Sequence, residues 1–255
     1  MSNATLDLMY RHRSIRKFAP DPIPRETIET IVEAGQRAST SSNMQYYSAI
    51  VLTDPAKKAR MATLCGDQEQ IRQAPVFIAW CADRSRLARA SEQRGYKLNS
   101  DYVEAFLVAA VDVGIMMQNA MLAAESLGYG CCYIGAIRND TQAVIDLLEL
   151  PQLVFPISGM TLGVPADNPI VRPRLATEAV LHWEHYDASD EQQLLEAYDK
   201  AMVATGIYDG RQVAVPGKPG EVEDYGWREH SARRLAQPRR TELREVLARQ
   251  GFGLK

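Results

Sequence analysis

The sequence predicts a helix-rich fold around a small sheet, with an α+β layer sandwich and a doubly wound α/β sheet fitting equally well. Three observations lead there. Short apolar runs alternate with stretches of helical periodicity. The helical stretches outnumber the strand-like runs, of which there are four or five. One long segment, 101–126, is apolar on most sides, and such a helix must be buried on most sides.

The elements follow in order. Leu6 to Arg11 reads as a short helix running into His12-Arg13-Ser14-Ile15-Arg16. Pro20, Pro22 and Pro24 keep the chain extended. Pro24 suits the first turn of a helix over 25–38, where a missing N–H costs nothing. Ile28, Ile31, Val32 and Gly35 give that helix one buried stripe, and the polar run Ser39–Asn43 ends it. Strands are predicted over 49–53 and 76–82, with helices over 55–64 and 84–94 after them. The segment 101–126 would span about 40 Å at ~1.5 Å per residue. Phe106, Leu107, Val111, Val113, Ile115, Met116, Met117, Met121 and Leu122 spread around it. They predict the axis of a core shared by two subunits; the other reading is the central helix of a monomer. Gly128-Tyr129-Gly130 breaks this helix. A strand over 131–136, a helix over 141–148 and a strand over 156–162 come next, then helices near 189–204, 227–235 and 240–250. Asp209–Tyr225, rich in Gly and Pro, reads as a linker.

Composition narrows the function classes. The 255 residues are 46% hydrophobic and 24% charged, as expected of a globular chain that needs no disulfide staples. A net charge of −3 argues against nucleic acid as a partner. Residues 205–255 carry ten Lys/Arg against seven Asp/Glu, a mild excess that suits a tail lying on another surface. Cys65, Cys81, Cys131 and Cys132 form no CxxC or zinc spacing and read as reduced thiols. No basic start precedes an apolar segment, and no apolar run reaches the ~18 residues a membrane span needs, so a cytoplasmic location is expected.

Several chemistries are missing. There is no GxxxxGK[ST] loop and no GxSxG elbow. Gly128-Tyr-Gly130 lacks a third glycine and leads from helix to strand, the reverse of the dinucleotide context. His182 and His185 have no third ligand nearby, so no metal is expected. No side chain stands out as a catalytic acid, base or nucleophile; an enzyme of this sequence needs a cofactor.

What remains suits a phosphate and a planar ring. In an extended segment His12, Ser14 and Arg16 share a side, a mixture of fork and hydroxyl donors that a phosphate needs. Arg172-Pro173-Arg174 is a second basic cluster and Arg138-Asn139 a third. Ser39-Thr40-Ser41 and Gln68 can donate and accept along a ring edge. Tyr133-Ile134-Gly135-Ala136 can bring backbone close to a ring. Each piece alone equally suits a solvated face, a polar loop or a strand end.

The pieces occur in a telling order: His12-Arg13-Ser14-Ile15-Arg16-Lys17-Phe18, Ala38-Ser39-Thr40-Ser41-Ser42 with Gln45, Ala123-Ala124-Glu125-Ser126-Leu127-Gly128-Tyr129-Gly130, Tyr133-Ile134-Gly135-Ala136-Ile137-Arg138-Asn139, Leu162-Gly163-Val164-Pro165-Ala166 and Pro173-Arg174-Leu175. This set resembles the nitroreductase superfamily, within it the flavin reductase P and oxygen-insensitive nitroreductase group. The likeness runs strongly from Leu6 to Asp187 and more loosely to the C-terminus, through Trp227.

The resemblance implies an α+β fold, a mixed sheet wrapped by helices in an intertwined homodimer with FMN at the interface. It divides the chain into a core over 1–204 and an extension over 205–255 that packs on the partner. It implies that His12, Arg13, Ser14, Arg16, Arg172 and Arg174 hold the FMN phosphate and ring edge. Thr40, Ser41, Gln68, Tyr133, Ile134, Gly135 and Ala136 would line the ring. NADPH or NADH would give hydride, by ping-pong, to nitroaromatics, quinones or free flavins. The chain departs from the group where relatives carry an Arg-rich NADPH loop: over 206–222 only Arg211 is an obvious candidate. Rival readings are a flavin-delivery protein without turnover, a nucleotide- or phosphate-binding regulator without flavin, and a dehalogenase-type relative on the same scaffold.

Overall fold

Short polar caps start several of the helices. Asn3 accepts from the Leu6 amide at 3.0 Å, Asp54 from Lys57 at 2.8 Å and Asp140 from Ala143 at 3.1 Å, each satisfying an N–H the helix cannot. The computed structural model describes residues 3–255. Its elements are α1 (Ala4–Tyr10), α2 (Arg25–Gly35), β1 (Tyr47–Leu52), α3 (Pro55–Leu64), α4 (Glu69–Gln73), β2 (Val76–Asp83), α5 (Ser85–Gln93), α6 (Val103–Ser126), β3 (Gly130–Ile134), α7 (Thr141–Leu147), β4 (Val154–Gly163), α8 (Glu191–Val203), β5 (Gln212–Ala214), β6 (Val222–Asp224), α9 (Trp227–Leu235) and α10 (Leu243–Arg249).

The chain forms two compact units. One runs to Pro169 and resumes over Arg240–Lys255; the other is Ile170–Arg239.

The first unit is built on a four-stranded sheet in the order β1-β2-β4-β3. Every pairing in it is antiparallel, so the fold is α+β and the doubly wound alternative falls. β2 is buried at every position, as its unbroken apolar run requires. Helix α6 packs against α2 and across β1, β2 and β3. It is long and apolar enough to cross a membrane by length and composition, yet here Ala109, Val113, Met116, Ala120, Met121 and Ala124 lie in the core. Gly35 lets α2 approach: a Cβ there would meet Ala120 Cβ and Met116 O at 3.1 Å. On the far end, α10 and Phe252 close over Phe155 and Phe106, whose rings meet edge to face at 5.6–6.5 Å.

The second unit holds α8, α9 and the two-stranded sheet β5-β6. Tyr198 packs edge-on against Trp227 at 4.9 Å, joining α8 to α9.

Four expectations need correction. Helix α2 ends at Gly35, not 38, and Pro24 is its cap rather than its first turn. The strand expected to 136 stops at Ile134, and Gly135–Arg138 turn as a 3₁₀ helix. The stretch 209–225 is not all linker, since β5 and β6 pair within it. Helix α4 was not foreseen; at five residues it is too short to show a period.

Candidate functional site

The segment after α1 is laid along the sheet by its apolar residues. Ile15 and Phe18 are buried with Ala74. Ile15 N–H donates to Cys131 O at 2.9 Å, and Ala19 N–H to Val164 O at 2.9 Å. Gly130 makes this approach possible: a Cβ there would stand 2.5 Å from Ile15 Cγ1. With Ile15 and Phe18 anchored, Arg16 and Lys17 between them are exposed, and His12, Arg13 and Ser14 before them are half-buried.

Those residues separate onto two sides. Arg11, Arg13 and Ile15 wall a cavity of about 290 Å³ with Glu125, Tyr129 and Asp167; His12, Ser14 and Arg16 are not in that wall. Arg13 reaches the Pro169 carbonyl at 3.4 Å. His12 Nδ1 lies 2.6 Å from Glu125 Oε1, at the end of α6. Nδ1 is thus spent on Glu125, and Nε2 is left for a second partner. Arg16 is exposed, with one long contact of 3.5 Å to the Ser14 carbonyl. The Ser14 hydroxyl makes no hydrogen bond among the described residues.

A second group lies in the loop before β1. Asn43 N–H donates to Thr40 O at 3.3 Å, Gln45 N–H to Thr40 Oγ1 at 3.3 Å, and Met44 N–H to Ser41 O at 2.9 Å. Ser42, Asn43 and Gln45 all have φ near +50°, each costing on the order of 1 kcal/mol without glycine's freedom. The buried carboxylate of Asp112, on α6, accepts from the Ser41 amide at 2.9 Å and the Tyr46 amide at 3.3 Å.

Gln68 is tied locally, donating to Cys65 O at 2.8 Å and accepting from Gln70 at 2.6 Å; one N–H and one lone pair remain. Tyr133 spends its hydroxyl on Met117 O at 2.7 Å, and burial pushes that phenol's pKa up. Ile134 is core, paired with Gly159. Gly135 and Ala136 open the 3₁₀ turn, and a Cβ on Gly135 would touch only Arg138 Nη2, at 3.6 Å. The face of Gly135 is therefore open to a ligand rather than filled by the chain. Arg138 bonds the Ile157 carbonyl and is held below its ordinary pKa by burial and then by Arg240. Asn139 accepts from Arg240 at 3.1–3.2 Å.

Arg172 and Arg174 belong to the second unit and are both exposed, with Pro173 O between them accepting from Tyr198. Arg211, also there, lies 5.8 Å from the Tyr225 ring, which Arg233 covers at the same distance. A nucleophilic thiol has no support. All four cysteines are buried; burial pushes Cys65 up to about 12 and Cys81 and Cys131 further.

Sequence reasoning missed Asp112 and Glu125 as site residues. A signal existed for Asp112, a carboxylate inside an apolar helix, which must find donors. Its partners lie 71 and 66 positions away, which no local pattern reveals.

The donor set fits a cofactor bearing a phosphate and a planar ring. His12 Nε2, the Ser14 hydroxyl and the Arg16 guanidinium meet no carboxylate or carbonyl closer than 3.5 Å in the hydrogen bonds present, and Gly135 offers backbone without a side chain.

Comparison with known proteins agrees. The Nitroreductase family model matches residues 9–164, and the model of the family's C-terminal domain matches 172–255. The FMN reductase [NAD(P)H] of Bacillus subtilis is 39% identical over 253 residues, 98% of each chain. The oxygen-insensitive NADPH nitroreductase of Salmonella typhimurium is 36% identical over 251 residues, covering 98% of this chain and 99% of its own. The solved NADPH:FMN oxidoreductase of Vibrio harveyi, complexed with NAD+, superposes with a TM-score of 0.87 at 34% identity, over 99% of this chain and all of that one. With both family models matched in order and relatives alike from end to end, this chain belongs to the nitroreductase family.

Proposed function

We propose that the protein is an FMN-dependent NAD(P)H oxidoreductase that reduces nitroaromatics, quinones or free flavins. The observation that carries this is the donor set of His12, Ser14 and Arg16, on a segment anchored through Ile15 on Gly130. The end-to-end likeness to an FMN reductase and an NADPH nitroreductase supports it.

His12, Ser14 and Arg16 hold the phosphate by charge-assisted bonds, with Arg13, Arg172 and Arg174 added by the resemblance. Thr40, Ser41, Gln68 and the backbone of Tyr133–Ala136 line the ring. FMN held by these residues would supply two-electron hydride transfer from a nicotinamide to the acceptor. The chain needs no acid, base or nucleophile of its own; it positions the ring and stabilises its charge. Arg211 is assigned to the nucleotide, with NADPH preferred and NADH usable.

The working form is a homodimer in the cytoplasm. Val103, Leu107, Val111 and Ile115 recur every four residues on α6 and are 49%, 53%, 49% and 41% exposed, an apolar stripe that a second copy would cover. The segment 205–255 is assigned to the partner's surface as well as to its own chain.

The deciding experiment is the visible spectrum of the purified protein, followed by anaerobic titration with NADPH and then NADH. A flavin band that bleaches with either supports the reading. A colourless protein that fails to quench added FMN would sink it, and a flavin band that neither nucleotide bleaches would indicate a delivery protein.

A further inference from the structure

Asp112 lies midway along α6 and is 1% exposed. Among the described residues it pairs with no Lys or Arg. Its Oδ1 accepts from Ser41 N–H at 2.9 Å and its Oδ2 from Tyr46 N–H at 3.3 Å. These amides bracket the loop that holds Ser42, Asn43 and Gln45 at positive φ. Side chains resist that backbone conformation, and it persists only where surrounding bonds over-determine it. Within the loop Met44 N–H donates to Ser41 O at 2.9 Å, and longer bonds of 3.3–3.4 Å run from Gln45 N–H to Thr40 Oγ1 and from Gln45 Nε2 to Asn43. Arg86 adds a 3.3 Å bond to Gln45 O from outside. The carboxylate is thus the buried clamp on both ends of the loop, delivered from the helix that spans the core.

We propose that Asp112 is a positioning residue for flavin binding: it fixes the Ser41 and Tyr46 amides and so sets where Thr40 and Ser41 present their donors to the ring. This rests on the reading of Thr40 and Ser41 as ring-lining residues. A helix residue that touches neither cofactor nor substrate would then tune the cofactor's seat.

Three measurements test it. In the wild-type protein stripped of flavin, the Ser41 and Tyr46 amides should exchange with deuterium roughly 100-fold more slowly than the amide of Ser42, as buried bonds do. Equal rates would remove the clamp. Asp112→Asn keeps one acceptor oxygen and puts an NH2 group where the second stood. Its FMN dissociation constant, read by quenching of flavin fluorescence, should rise about ten-fold. The visible circular dichroism of bound flavin should change as well, which a loss of stability alone would not produce. Faster exchange over 40–46 with unchanged FMN affinity and unchanged dichroism overturns the proposal, because the loop would then be clamped for another purpose. A wild-type chain that binds no FMN overturns the proposed function and this role together, and is told apart by needing no variant.

Discussion

His12 Nδ1 and Glu125 Oε1 are 2.6 Å apart, joining the segment after α1 to the last turn of α6 across 113 positions of sequence. The carboxylate fixes the ring plane, so Nε2 is aimed by a residue that is not itself a proposed ligand. Glu125→Ala should therefore raise the FMN dissociation constant by about ten-fold without removing any proposed ligand. Fluorescence quenching reads the affinity, and the 15N shift of His12 Nδ1 should change as it loses its carboxylate acceptor. An unaltered affinity would show that His12 is held by other means.

Arg16 contributes little to folding. It is exposed and its one intramolecular contact is 3.5 Å long. Arg16→Ala should leave the melting temperature within the effect of ~0.5 kcal/mol, yet weaken FMN by about 10–100-fold through loss of a charged contact. If the variant purifies with full flavin, the phosphate assignment is wrong.

Gly130 and Ile15 are coupled by contact. Gly130→Ala should destabilise by about 1–3 kcal/mol, because the new methyl stands where Ile15 packs. It should also lower FMN affinity by lifting the 12–16 segment. Gly130→Ala made in an Ile15→Ala chain, which lacks Cγ1 and Cγ2, should cost less than in the wild type, and denaturant titration of the double-variant cycle measures the coupling. Strict additivity would contradict the packing described.

The α6 stripe gives an assembly prediction. Val111→Lys places a charge in the centre of the proposed dimer face and should raise the dimer dissociation constant at least ~100-fold. Sedimentation velocity over a dilution series reads it. A dimer as tight as the wild type would place the interface elsewhere.

Buried thiols predict an alkaline limit. Burial pushes Cys65 up to about 12 from an ordinary value of 9.0. A group raised in the folded state stabilises fully below its unfolded pKa and loses that contribution as pH rises through the folded value. For Cys65 the window is pH 9 to about 12, over which up to about 4 kcal/mol is lost. The urea midpoint should fall between pH 8 and 10. A midpoint level with pH would argue that the thiol is solvated.

Much of this was legible in the sequence, for physical reasons that also mark the boundary. Helix α3 was read to the residue because Asp54 and Pro55 are strong local start signals. β2 was read from its unbroken apolar run. The hairpin β5-β6 was not: each strand has three residues and five of the six are exposed, so no period exists to detect. The turn at Gly135 was read as strand because Ala136 and Ile137 look apolar enough to continue one. In the proposed site, the polar segment 12–16 can be nominated from sequence because its chemistry is contiguous. Asp112 and Glu125 were not, because each acts on residues brought near only by the tertiary fold.

The pairing of the first unit with residues 240–255 has a consequence for biosynthesis. Val246, Leu247 and Phe252 belong to the core around Phe155, and Gly253 N–H bonds Ser100 O. A ribosome releases the sheet long before these residues, since translation proceeds at about 5–20 residues per second. The nascent chain therefore waits with an open core while the second unit is made. Its window for misassembly, and its reliance on holdase chaperones, should shrink if a circular permutation moved 240–255 ahead of α1.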